Sequence, residues 1–463
     1  MRIRLYLPIL IIAFLISCNR KGEKSPELDP AIIGQVTREM TDVMVHDVTN
    51  PPLAARFYSY ACLAGYEIVA QNDSAYKTMH GVLNDFPVIV KPEGLTEYSY
   101  QLSAVLAMLE TAKKMQPSGG LMLQKYQDRL LDSCKTLGFS EEVIAGSAAY
   151  GLGISKQILK YAKADKYNQI SNFPRYAPTE VKGSWYPTPP GYFPPVEPYF
   201  KTVRPFTLDS SSQFKPAAPA PFSEDKNSEF YKMMLSNYQT KIEGEAKVTA
   251  AFWDCNPFAL ENKGHLLVGM KKISPGAHWI GITDIACKQS KADLSKTLLV
   301  TTSVAIGLMD GFMACWDEKY RSNRIRPETV IRKYIDPNWK PFLQTPPFPE
   351  YLSGHSVVSS AAAIILTHYF GENFAYTDTV EERFGLKARK FASFNHAAKE
   401  SGMSRFYGGI HFMDAVENGW TQGEHVGNWV VSRLSAVDRL STVNKQSAVS
   451  NRPSVLGKST ASR

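Results

Sequence analysis

From residue 29 onward, apolar side chains recur three and four positions apart over long stretches. Asp29-Pro30, a capping acid followed by a proline suited to a first helical turn, precedes Ile32, Ile33, Val36, Met40, Val43 and Met44, which predicts a helix. The spacing repeats over 51–71, over 96–115 (Leu102, Val105, Leu106, Leu109) and over 139–164 (Val143, Ile144, Leu152, Ile158, Leu159). Residues 29–173 therefore read as an N-terminal helical half. The pattern then breaks: 12 of the 29 prolines lie between Pro174 and Pro221, which excludes helix and central strand there. Residues 174–225 read as an extended strap. Its aromatics Trp185, Tyr192, Phe193, Tyr199 and Phe200 need cover, which predicts that it lies across the helical body. Helical spacing resumes over 226–255, 291–320, 355–370, 380–402 and 410–436, giving a second helical half, 226–437. Residues 438–463 are Ser-rich and aperiodic and read as a flexible tail. The fold class expected is all-α.

The first residues change the picture of where such a chain works. Arg2 and Arg4 precede an apolar run from Leu5 to Ile16 that suits a secretory signal and is short for a bilayer span. The run ends in Leu15-Ile16-Ser17-Cys18, which resembles the bacterial lipobox. Residues 1–17 are thus expected to be a signal peptide, Cys18 the lipidated residue and 18–28 a tether, on an extracytoplasmic, membrane-anchored bacterial lipoprotein of the periplasm or outer membrane. The 463 residues are 44% hydrophobic and 21% charged, enough for a sizeable core. Fifty-two Lys and Arg against 44 Asp and Glu give +8 without a run of five like charges, which argues against a nucleic-acid partner. Cys62, Cys134, Cys255, Cys287 and Cys315 lack CxxC spacing, and either free thiols or one bridge fit them. Nothing in the sequence indicates an oligomeric state.

Candidate chemistry gathers in the last third, in three pieces suited to a tetrahedral oxyanion. Lys319 and Arg326-Pro327 stand seven positions apart, a spacing that returns to nearly the same helical face, although Pro327 disfavours helix at Arg326. Ser353-Gly354-His355 opens the apolar run 356–370, so its serine can cap a helix whose first N–H groups, that of Gly354 included, form an anion cradle. Ser404-Arg405 and His411 flank Gly408-Gly409, which allow the chain to bend until both side chains converge. Trp316 lies one turn before Lys319, and Phe348 seven residues before His355. His278, beside Trp279, has no role derivable from spacing. Neither a G-x-S-x-G elbow, an H-E-x-x-H helix nor a P-loop is present.

Taken in order, Lys-x6-Arg-Pro, Ser-Gly-His and Ser-Arg-x5-His resemble the three-part signature of the vanadium haloperoxidase and acid phosphatase superfamily. Residues 185–198, Phe252-Trp253, His278-Trp279 and 346–356 resemble boxes of its bacterial haloperoxidase branch, the vanadium iodoperoxidases included, so the likeness runs over roughly 180–430. The resemblance implies two packed four-helix bundles. It implies vanadate as cofactor, held by Lys319, Arg326, Arg405, Ser353 and the Gly354 N–H, with His411 coordinating vanadium. His355 is then the acid–base residue that takes a proton from hydrogen peroxide, and Lys319 polarises the bound peroxide for attack by halide. Trp316 and Phe348 resemble the halide-side aromatics, with iodide the first expected substrate and bromide the next. Two departures matter: Leu352 replaces the usual proline before Ser-Gly-His, and Ala415 stands where the phosphatases carry an acid. The support of His411 is thus left open, Asp414 being the nearest carboxylate in sequence, while Asp254 or Asn256 is a candidate partner for His355. A phosphomonoesterase with His411 as nucleophile and His355 as proton donor is the alternative; a non-catalytic oxyanion-binding lipoprotein is the third.

Overall fold

A computed structural model describes residues 26–262 and 266–437; the expected signal peptide, Cys18 and the expected tail from 438 lie outside the described residues. The helices are α1 (Ala31–His46), α2 (Pro51–Asn72), α3 (Tyr100–Met115), α4 (Gly119–Thr136), α5 (Glu141–Lys163), α6 (Glu229–Gln239), α7 (Gly244–Phe252), α8 (Pro275–Gln289), α9 (Leu294–Ser322), α10 (Pro327–Tyr334), α11 (Gly354–Phe370), α12 (Phe394–Tyr407) and α13 (Met413–Leu434). Two short antiparallel pairs interrupt them: β1 (Leu260–Asn262) with β2 (Leu267–Gly269), and β3 (Tyr376–Asp378) with β4 (Arg389–Phe391).

Side-chain caps set many of the helix starts. Asn50, Ser99, Ser140, Ser228, Ser274, Asp293, Ser353 and Ser393 each accept an N–H of the first turn. Packing then builds two bundles: α2 to α5 around α3, and α9, α11, α12 and α13 around α11, with α2 also lying along α9. One apolar core runs through both, from Leu28 to Val437. α9 alone among the described helices is long and apolar enough to cross a membrane, yet it is buried along its whole apolar stretch as the core helix.

Three helices and two breaks depart from the sequence pattern. α4 buries only Leu123, Gln127, Leu130 and Cys134 beyond its first glycine, a stripe too narrow to stand out behind Gly119-Gly120. α8 packs against α1, α2, α9 and α11, so it is apolar nearly all round and has little amphipathic contrast to detect. α10 is only 8 residues long. The expected helix 226–255 is split into α6 and α7, where Gly244 takes φ +53. In the expected helix 380–402, the first half is instead a 3-10 turn and β4, and the helix starts only at its Ser393 cap.

Residues 174–225 are irregular apart from an isolated antiparallel bridge between Ser184 and Arg324 and one 3-10 turn at Phe200–Thr202. Trp185 and Phe200 are buried, whereas Tyr192 is 64% exposed, against the expectation that it needs cover. This segment is tied to α9 along its length: Phe206 and Thr207 donate backbone N–H bonds of 2.8 Å to the buried Asp310 carboxylate, and the Val196 carbonyl accepts from Trp316 Nε1 at 3.1 Å and Tyr320 at 2.6 Å. On the other side, Gly419, Gly423 and Gly427 form one face of α13. A Cβ at Gly423 would stand 2.2 Å from the Val357 carbonyl, so only glycine lets α13 lie this close to α11. That contact fixes α11, whose first turn opens into the site.

Candidate active site

Lys319 sits in the last turn of α9. The helix stops at Ser322 because Asn323 adopts the left-handed conformation, φ 47, with its N–H on the Lys319 carbonyl at 2.9 Å. The chain then runs extended to Arg326, and Pro327 starts α10. Lys319 and Arg326 therefore meet across a chain reversal, not on one helical face as their spacing suggests; Pro327 enforces this. Arg405 comes from the last turn of α12, and His411 from the residues just before α13, with Gly409 at φ +71 turning the chain between them. Ser353 caps α11, accepting from Ser356 N–H at 3.3 Å while its own O–H stays available; the Gly354 amide heads the helix, outside its hydrogen-bond ladder. The loop that carries Leu352 is pinned: Ser353 N–H donates to the Ala415 carbonyl at 3.0 Å, and the Leu352 carbonyl accepts from Lys319.

His355, His411, Arg405 and Gly354 line a cavity of about 30 Å³, walled on the apolar side by Trp316 and Phe348, whose rings lie 4.9 Å apart. Arg326 and Lys319 stand behind this lining. Arg326 donates through Nη1 to His411 Nε2 at 3.1 Å and to the Ile410 carbonyl at 2.8 Å, and through Nε to the Phe348 carbonyl at 3.0 Å. Lys319 Nζ donates to the carbonyls of Pro349 (2.9 Å), Glu350 (3.1 Å) and Leu352, 5.0 Å from the Phe348 ring centre.

The two histidines are held differently. His411 donates Nδ1–H to Glu350 Oε1 at 2.9 Å, which leaves Nε2 as the acceptor facing Arg326. Glu350 also accepts the Phe412 N–H at 3.0 Å and pairs with Arg324 at 2.5 Å, and Arg324 is clamped in turn by both Asp414 oxygens at 2.5 and 2.6 Å. Asp414 thus supports His411 only through Arg324 and Glu350. His355 donates Nε2–H to the Trp253 carbonyl at 3.1 Å, and that carbonyl also accepts Arg405 Nη1 at 2.6 Å. Neither Asp254 nor Asn256 bonds His355: Asp254 is drawn to Lys272 and lies 3.9 Å from Arg405, and the Asn256 amide faces the Gln344 carbonyl at 3.4 Å.

Lys319, Arg326, Arg405 and His411 are buried and His355 is partly buried, which disfavours their charged forms. Burial, reinforced by neighbouring arginines, pushes Lys319 down to about 7 and Arg326 down to about 9. Burial together with Arg405 and the other histidine holds His355 well below the usual imidazole range; burial together with Arg326 and Lys319 does the same for His411. Glu350 and Asp414 offset Arg324, but Lys319 and Arg326 have no carboxylate of their own. Arg326 Nη2 and Arg405 Nε are buried with no hydrogen-bond partner. Unpaired guanidinium N–H groups and surplus positive charge around a small cavity fit an oxyanion with several acceptor oxygens, so the residues present suit vanadate.

Glu350 and Arg324 went unrecognised in the sequence. Their signal was a lone acid in an otherwise apolar, proline-rich loop, Pro346 to Leu352, and a second arginine two residues before Arg326. The five cysteines, left open between thiols and a bridge, are all free and buried.

The chain matches a family model, the VCPO second helical-bundle domain, over residues 298–438. Among solved structures it is similar to the first bacterial vanadium-dependent iodoperoxidase, with 40% identity, TM-score 0.83, 89% of this chain covered and 98% of that one. It shares the fold of holo- and apo-type bacterial vanadium-dependent chloroperoxidase, each at 16% identity, with TM-scores of 0.61 and 0.60, covering 85% and 84% of this chain and 94% and 95% of those. No curated protein sequence matches it. Identity at this level over nearly the full length of both chains is decisive: the chain belongs to the vanadium-dependent haloperoxidase family.

Proposed function

We propose that this enzyme oxidises iodide with hydrogen peroxide, using vanadate, to hypoiodous acid. The observation that carries the reading is the pair of orphaned, buried guanidinium donors, Arg405 Nε on the wall of the cavity that His355 and His411 line and Arg326 Nη2 behind it, beside two neutral histidines. Vanadate would be held by Arg326, Arg405, Ser353, the Gly354 N–H and the charge of Lys319, with His411 Nε2 as the metal ligand. Bound there, it supplies a Lewis-acidic centre at which peroxide becomes electrophilic. The remaining work falls to the side chains. Glu350 fixes the tautomer of His411, so that Nε2 presents a lone pair. His355, kept neutral by its surroundings and donating Nε2–H to Trp253, has Nδ1 free to accept a proton from entering hydrogen peroxide. Trp316 and Phe348 exclude water and offer a polarisable wall, which suits a large halide better than a hydrated phosphoester. Iodide is favoured over bromide because the 40% identical solved structure is an iodoperoxidase.

The His411–Glu350 pair is also what a nucleophilic histidine would need, which supports a phosphomonoesterase as the second reading. One experiment separates the two. The body from residue 19, stripped of metal, is assayed with and without orthovanadate for peroxide-dependent oxidation of iodide, bromide and chloride, and for hydrolysis of a chromogenic phosphoester. Vanadate-dependent iodide oxidation is expected. Phosphoester turnover that vanadate inhibits, with no halide oxidised, overturns the proposal. Membrane attachment through lipid on Cys18 rests on the sequence alone; radiolabelled palmitate incorporated by the wild-type chain should be absent from a Cys18→Ser variant.

A further inference from the structure

Against the Trp253 ring lies a second buried cluster that the proposed chemistry does not use, one member of which, Cys255, also borders the site cavity. Cys255 follows α7, His278 is in the first turn of α8, and Glu381 precedes the 3-10 turn after β3. Cys255 Sγ lies 3.4 Å from His278 Nδ1 and 3.5 Å from Glu381 Oε1, and Nδ1 lies 3.3 Å from the same Oε1. These three atoms form a nearly equilateral triangle. Tetrahedral zinc with Zn–S near 2.3 Å and Zn–N or Zn–O near 2.0–2.2 Å has ligand-to-ligand edges of about 3.3–3.6 Å, the same lengths. The other ring nitrogen, Nε2, donates to Asp378 Oδ2 at 2.8 Å with both side chains fully buried, the carboxylate support that metal-binding imidazoles carry. As a hydrogen-bond network alone, the arrangement crowds two donors, the Cys255 S–H and the His278 Nδ1–H, onto the single oxygen Glu381 Oε1.

Charge gives the ligand its sign. A thiolate and a carboxylate repel an oxyanion and attract a cation, so the cluster's ligand differs in sign from that of the arginine-lined cavity, and with zinc(II) the two anionic ligands are neutralised, leaving the Asp378 carboxylate behind Nε2. The donor set of one sulfur, one nitrogen and one oxygen suits zinc better than calcium or magnesium, which take oxygen.

We propose that Cys255 Sγ, His278 Nδ1 and Glu381 Oε1 bind one zinc(II) ion, with water in the fourth position. On binding, the thiol proton and any proton on Nδ1 leave to solvent, and Nε2 keeps its proton toward Asp378. The ion joins three segments distant in sequence and braces Trp253, whose ring stacks on His278 at 4.6 Å and whose carbonyl holds both His355 and Arg405. Zinc is thus a positioning element for the site and takes no part in turnover.

The test uses the untagged chain, expressed with zinc in the medium, purified without chelator and analysed for metals by plasma mass spectrometry. One zinc per chain is expected, independent of vanadate content, with zinc lost and the melting temperature lowered after prolonged dialysis against a strong chelator. Cys255→Ser and His278→Gln should each lose the zinc. Should either variant fail to fold, the wild-type chain loaded with cobalt(II) still decides, because cysteine ligation gives a thiolate-to-cobalt charge-transfer band; metal-free, burial pushes the Cys255 thiol up to about 11 and no thiolate forms at neutral pH. Substoichiometric zinc in wild-type protein dialysed against zinc, the same zinc content in folded Cys255→Ser, or cobalt loading without that band overturns the proposal.

Discussion

Two histidines share one cavity and are held in opposite ways. His411 rests on a chain of ionised groups, Glu350, Arg324 and Asp414, whereas His355 rests on a single backbone carbonyl, that of Trp253. A carboxylate behind an imidazole fixes its tautomer and orients the ring, which suits a nitrogen that must stay bound to a Lewis acid, although burial and the cations Arg326 and Lys319 still hold His411 well below the usual imidazole range. A carbonyl fixes the tautomer equally well but adds no negative charge, so His355 stays weakly basic between Arg405 and His411. Such a group can accept a proton and release it again. Under the proposed function, this difference in support gives binding to one ring and proton transfer to the other.

The sharpest test of that contrast is to remove each ring in turn. His411→Ala should abolish vanadate binding at micromolar concentrations and halide oxidation with it. His355→Ala should bind vanadate nearly as wild type while turnover falls by roughly 10²–10⁴-fold. Equilibrium binding of vanadate set beside steady-state kinetics checks both, and equal loss of binding in the two variants breaks the comparison. A smaller effect is expected one step back. Glu350→Gln keeps an acceptor for Nδ1 but loses the charge, so vanadate affinity should drop about 10–100-fold and stability by about 1–3 kcal/mol, read from a denaturant titration.

How far these partners were legible differs along the chain. Helices with an apolar stripe, such as α1 and α5, were visible in the sequence because burial on one face is a local signal, and α11, buried nearly all round, was visible as a continuous apolar run behind the capping Ser353. α8 was not, because a helix enclosed on several sides shows little amphipathic contrast. Lys319, Arg326, Ser353, Arg405 and His411 were identified by motif, but their convergence depends on the left-handed Asn323 and on Pro327, which turn the chain where spacing alone suggests one helix. Glu350 was hidden for another reason. Its role exists only because the loop before α11 folds against the residues before α13, a contact over 61 positions that no local pattern records. The partner of His355 was illegible in principle, since any residue could supply that carbonyl.

Acid should expose both histidines together. Each has its folded-state pKa depressed, by burial first and by neighbouring cations second. Below the unfolded value of about 6.5 the unfolded chain binds protons that the folded one refuses, so the stability these neutral rings contribute is present above that pH and is lost as the pH falls toward their folded values. The melting temperature of vanadate-free protein should therefore decline from about pH 6.5 to 5, and added vanadate should flatten the decline by neutralising the arginines. A melting temperature that is constant over this range without vanadate would mean that neither ring is held neutral.

The smallest effect belongs to Trp253, and it is the most discriminating for His355. If the carbonyl alone holds the ring, the indole is dispensable to the chemistry even though it is buried and donates Nε1–H to Glu400 at 3.0 Å. Trp253→Phe removes that bond and some volume but keeps the peptide, and Glu400 retains Arg389 at 2.8 Å. The cost in stability should be about 1–3 kcal/mol, from the small cavity and the lost bond. Turnover per folded molecule at saturating vanadate should stay within roughly threefold of wild type, less than 1 kcal/mol of barrier. A kinetic loss as large as that of His355→Ala, in protein that is still folded, would show that His355 is placed by the indole and its neighbours and not by the backbone, and the contrast with the carboxylate-backed His411 would disappear.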